Sequence, residues 1–69
     1  MESSELETRF TYHPPKPEQV ETYERIRAAG KEFAALVIEL TPASREQSES
    51  VTNIEQAVMW ANAAEARRR

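Results

Sequence analysis

From Val37 the chain reads Val-Ile-Glu-Leu-Thr-Pro-Ala-Ser-Arg-Glu-Gln-Ser-Glu-Ser-Val, and these residues up to Val51 hold the end of one helix, a forced break and the start of another. Thr41 precedes a proline and is pushed out of the α region, while Pro42 has no N–H with which to continue a helical ladder. Three residues further on, Ser44 and Gln47 have the Ser-x-x-Gln spacing of a capping box, and Thr41 ahead of Pro42 offers an alternative cap. A second helix therefore begins between Pro42 and Ser44. Two helices joined by so few residues fold back antiparallel.

Working outward, the first helix spans about residues 17 to 40. Pro17 suits its first position, and Glu18 and Glu21 complement the positive helix end. Its apolar positions follow a heptad seam of Tyr23, Ile26, Phe33, Val37 and Leu40, with Gly30 as the one weak member. Val51, Ile54, Val58 and Ala61 form the matching seam of the second helix. The expected fold is all-α, an antiparallel two-helix hairpin. Arg9 to Pro17 holds three of the four prolines and reads as an extended Pro-rich arm, which also carries Phe10, Tyr12 and the sole histidine, His13. Met1 to Thr8 is acidic with little to bury, so residues 1–8 read as a flexible tail and residues 9–69 as a single hairpin domain with its arm.

A chain of 69 residues, 39% apolar and 30% charged, lies near the size at which too little surface is buried for independent folding. It has no cysteine, hence neither disulfides nor a thiolate metal site to compensate. Burial against further copies is the remaining route, and a helical homo-oligomer is expected. Trp60 supports this, because it falls almost opposite the Val51, Ile54 and Val58 seam, with Met59 about a quarter turn away. A lone hairpin would leave both in water, either as harmless exposed rings and tails or as interface residues. Ala57, Ala63, Ala64 and Ala66 would let other backbones approach, although alanine is also simply a good helix former.

The absence of cysteine fits a reducing cytoplasm, the acidic start does not resemble an export signal, and the apolar run Phe33–Ile38 is too short for a bilayer. A soluble cytoplasmic protein is expected. The net charge of −3 argues against a duplex-DNA binder, whereas a small ligand with a few phosphates needs only a local cationic cluster.

Such clusters can be found in the sequence. Glu21 lies four residues before Arg25 and can pair with it, but Arg27 and Lys31 are like charges at i and i+4, unfavourable unless an anion lies between them. Arg27 has Glu24 as an alternative partner; Lys31 has none. Arg67, Arg68 and Arg69 complement the negative end of the second helix, and three in a row also invite an anion. The antiparallel turn brings them towards Tyr12 and His13, and aromatic rings with guanidiniums are a pairing that holds nucleotides. Tyr12 can equally pack on its own hairpin. No cofactor is implied: one imidazole and scattered carboxylates make a poor metal site, and a single glycine inside a helix excludes a phosphate-cradling loop. Ser44, Ser48 and Ser50 lie where capping explains at least one of them, so catalysis lacks a nucleophile with a positioned base.

Phe10-Thr11-Tyr12-His13-Pro14-Pro15-Lys16-Pro17, Tyr23-Glu24-Arg25-Ile26-Arg27, Ser44-Arg45-Glu46-Gln47-Ser48 and Ala57-Val58-Met59-Trp60-Ala61-Asn62-Ala63-Ala64 together resemble the small phage anti-CBASS sponge proteins. Their hairpin is shared with a phage inhibitor of the Thoeris defence system. The resemblance runs from Phe10 to about Arg68. It implies a hexamer in the cytoplasm of an infected bacterial host that sequesters cyclic di- and trinucleotide messengers without cleaving them. It also implies that Tyr12 stacks on the bases of a cyclic dinucleotide, with Arg27, in place of a family lysine, on phosphate. His13 and Arg68 become candidates for a separate trinucleotide site. Glu65 departs from the apolar residue expected there; it would loosen that end or pair with Arg68 or Arg69. The competing readings are a helical protein–protein interaction module using the Met59/Trp60 face and, with the fewest parts in place, a small hydrolase built on His13.

Overall fold

The computed structural model describes all residues from Met1 to Arg69. Three helices follow one another, α1 (Ser3–Phe10), α2 (Val20–Leu40) and α3 (Arg45–Arg68), with a single 3-10 turn at Pro17–Gln19 leading into α2. The last two pack antiparallel as the expected hairpin.

The break between them is built as the Thr-Pro-Ala-Ser word requires. Thr41 is extended, and both its N–H and its hydroxyl donate to the Val37 carbonyl, at 3.1 and 2.6 Å. Ser44 caps α3 by accepting from the Gln47 N–H at 3.1 Å. The other half of the expected capping box is differently used. Gln47 Nε2 turns away from Ser44 and donates towards the Thr41 carbonyl at 3.0 Å, with the Thr41 hydroxyl and the Ile38 carbonyl beside it. One glutamine thus satisfies orphan carbonyls at the end of α2 while its backbone completes the start of α3.

The seam follows the expected positions through Tyr23, Ile26 and Gly30, and through Val51, Ile54, Val58 and Ala61, all half-buried. It then departs from them. Phe33 and Leu40 are 56% and 70% exposed, and Ala34 takes the inward place before Val37. A straight α-helix drifts about 20° per heptad away from a 3.5-residue repeat, so a strict heptad reading misplaces its later members. Gly30 is the reason the helices can cross closely, because a Cβ there would run into Val58. The weak member of the seam is its crossing point.

The N-terminal stretch expected to be a loose tail is instead α1, and it takes Arg9 and Phe10 out of the arm, leaving Thr11–Lys16 as the irregular connector. Eight residues are too few for a helix to be stable by itself. Here Arg9 pairs with Glu5 one turn earlier at 2.7 Å, the Thr8 hydroxyl bonds to the Ser4 carbonyl, and Glu5 reaches across to α3.

The Cα atoms span 45 × 30 × 12 Å, so the molecule is one helix thick. Helices bury a stripe against a neighbouring layer, and a single layer covers only the stripe facing sideways. No hydrophobic residue is buried, and Trp60 and Met59 remain 68% and 62% exposed. No helix is long and apolar enough to cross a membrane.

Candidate functional site

Two clefts carry the cationic residues. The first lies along the middle of the hairpin, where Arg27 and Lys31 project from one face of α2 towards Met59, Glu55 and Asn62 of α3, around the Gly30–Val58 crossing. Neither Arg27 nor Lys31 forms an ion pair; Glu24 does not engage Arg27, and Glu21 does not engage Arg25. Two unpaired like charges one turn apart are held together by helix geometry alone, a place where an anion is favoured. The cleft measures about 510 Å³, in the size range of small-ligand sites. At its edge Asn62 Oδ1 is buried with no hydrogen-bond partner. Such atoms are nearly always satisfied, by protein groups or by ordered water.

The second cleft lies at the far end of α3, lined by Arg67, Arg68, Ala63, Ala64 and Trp60 with Arg9 and Phe10 of α1. Arg68 is already engaged. Its Nη1 and Nη2 donate to the two carboxylate oxygens of Glu5 at 3.0 and 2.9 Å, and Arg9 Nε donates to the same group. Hydrogen bonds from Arg68 first and Arg9 second hold the Glu5 carboxyl at about 2, against an ordinary 4.5, while Glu5 in turn raises Arg68. The pair is exposed, so this preference reflects good geometry more than a dry environment.

Three contacts join this end to the start of α2. Gln19 is the one buried residue, at 4% exposure; its Oε1 accepts from the Lys16 N–H, and its Nε2 donates to the Glu65 carbonyl and Oε2 at 3.1 and 3.2 Å. Glu65 also lies 3.7 Å from Arg69 Nε, and Lys16 Nζ donates to the Arg69 carbonyl. Glu65 therefore ties the end of the hairpin down, and its arginine partner is Arg69; Arg68 is taken by Glu5.

The five residues singled out from the sequence are distributed over separate places. Arg27 and Lys31 share the middle cleft, Arg68 lies at the end cleft, and Tyr12, 80% exposed, lines neither. His13 Nε2 is 2.7 Å from the Thr8 carbonyl, which can only accept, so the ring donates there and closes the last turn of α1. Sequence reasoning missed Glu5, Gln19 and the unpaired Asn62. Only the Glu5/Arg9 spacing of four, favourable on a helix, signalled α1 in advance. His13 and the carboxylates form no group of three able to hold a metal ion.

No curated protein and no solved structure matches the chain significantly. A family model does, the Acb2/Tad1 hairpin domain, over residues 2–66, which takes in all three helices but for the last two residues of α3. The antiparallel hairpin and its Pro-rich connector thus fall within the match, with Arg67, Arg68 and Arg69 just beyond it, and the chain belongs to the Acb2/Tad1 hairpin family of anti-defence sponge domains.

Proposed function

We propose that this protein is a phage anti-defence sponge that binds cyclic di- and trinucleotide messengers without cleaving them, in the cytoplasm of an infected bacterium, and so keeps host CBASS immunity from being activated. The observation that carries the reading is the unpaired Arg27/Lys31 couple in a cleft of small-ligand size. A phosphodiester relieves the repulsion between these cations and takes charge-assisted bonds from both. Tyr12 stacks on a base, supplied to the cleft from the same or a neighbouring copy. His13 and Arg68 serve a second, trinucleotide site at the other end.

Assembly is part of the reading. A layer one helix thick with no buried apolar residue gains its interior from other copies, and the proposed arrangement is a homohexamer. Trp60 and Met59 then lie at subunit contacts, and Asn62 Oδ1 finds its donor in a partner or ligand.

Calorimetry against a panel of cyclic di- and trinucleotides, with the mass of the assembly measured in solution, tests both parts. Micromolar or tighter binding with recovery of intact nucleotide after denaturation is the expected result; a chemically altered nucleotide would overturn sequestration. The exposure of Met59 and Trp60 favours one other reading, a helical module that docks a different protein on that face. Unchanged nucleotide binding in a Tyr12→Ala/Arg27→Ala double variant would make the pocket assignment wrong.

A further inference from the structure

Glu5 occupies Arg68 as a phosphate would. Both oxygens of its carboxylate lie on both terminal nitrogens of the guanidinium, at 2.9 and 3.0 Å, and Arg9 from the same helix completes the grip at 2.7 Å. Carboxylate and phosphate are the two groups that match the planar fork of arginine, so an anion arriving at Arg68 competes for the same donors. Beside this contact is a cleft with Arg67 and two exposed rings, Trp60 and Phe10.

The helix that supplies Glu5 is lightly held. No residue of α1 is buried; the Glu5–Arg68 pair and the His13–Thr8 bond tie it to the rest of the chain, and Phe10, on the cleft it shares with Trp60, stays 83% exposed. A helix anchored by apolar packing would resist removal; one anchored by an exposed ion pair separates at little cost.

We infer that α1 is an intramolecular competitor for the basic end of α3, with Glu5 as the affinity-setting residue: a phosphate-bearing ligand binds Arg68 only by displacing the Glu5 carboxylate. The inference rests on the reading of Arg68 as a nucleotide contact for its biological meaning. Displacement itself can be seen with any small polyanion. In the middle cleft Glu55 is present on the wall, but no carboxylate is paired with Arg27 or Lys31.

The test uses the full chain, cyclic triadenylate and inorganic pyrophosphate as probes, and Glu5→Gln beside Glu32→Gln, an exposed α2 control. Glu5→Gln keeps a good helix former while removing the competing charge. It should bind whichever probe the wild type binds about two- to fivefold more tightly, the range expected from releasing one exposed ion pair, with Glu32→Gln unchanged. In wild-type chain, saturation should move the Glu5 carboxyl carbon resonance to the position it takes in an Arg68→Ala chain, where only the Arg9 pair remains. Equal or weaker binding by Glu5→Gln, or an unmoved resonance at saturation, overturns the inference. Pyrophosphate displacement of Glu5 without nucleotide binding would uphold it while defeating sequestration; nucleotide binding with Glu5 undisturbed does the reverse, and no binding of either probe at millimolar concentration defeats both.

Discussion

The middle and the end of the hairpin hold the same kind of cation in opposite states. Arg27 and Lys31 face each other's charge with no partner, whereas Arg68 is clasped on both nitrogens by a carboxylate from 63 residues away. The difference teaches that a row of basic residues is not in itself a measure of anion affinity. What counts is the counter-charge already supplied by the chain, and here one region is open while the other is filled.

The largest expected effect is on the open region. Arg27→Ala should weaken cyclic dinucleotide binding about ten- to a hundredfold, the worth of ~1.5–3 kcal/mol for bonds to a charged group. Trinucleotide affinity measured in the same calorimeter should stay within about twofold, because the loss follows the bonds made by the guanidinium that was removed. Equal losses for both ligands would merge the two regions into one site. The crossing that shapes the open cleft comes next. Gly30→Leu forces a side chain into Val58 and should lower stability by about 1–3 kcal/mol, read as a drop in the melting midpoint. Combining Gly30→Ala with Val58→Ala should restore part of the fit, while the Glu5–Arg68 pair is left alone.

The filled region answers to pH. Because Glu5 is held at about 2 when folded and titrates near 4.5 otherwise, its contribution is fully present above pH 4.5 and is lost as pH falls through about 2. A carbon-NMR titration of the Glu5 carboxyl should show that low midpoint; a value near 4.5 would mean that the clasp is absent in solution. The smallest effect belongs to Arg9→Ala, which removes a single-turn pair and should loosen α1 slightly, seen as faster amide exchange there.

The hairpin was legible because its decisive signals are local. Thr41-Pro42 can only interrupt a helix, and Ser44 with Gln47 can start one, wherever the chain goes afterwards. The unpaired couple Arg27/Lys31 was legible for the same reason, since both ride on one helix. What distance decides was hidden. No reading of Met1 to Thr8 by composition reveals that Glu5 meets Arg68, and without that meeting the stretch resembles a tail. The exchange of Phe33 for Ala34 on the seam depends on how closely the helices cross, which depends on Gly30 meeting Val58. Gln47 fulfilled half its expected role and took its other partners from a helix end that local spacing does not point to.

That Gln19, an amide, is the one side chain withdrawn from solvent has a thermodynamic corollary. The heat capacity increment on unfolding follows the apolar area that becomes wetted, so a solitary copy should fall below the usual ~12–15 cal/mol/K per residue and respond shallowly to urea. A steep, concentration-dependent transition would report the dissociation of neighbours together with the unwinding of helices.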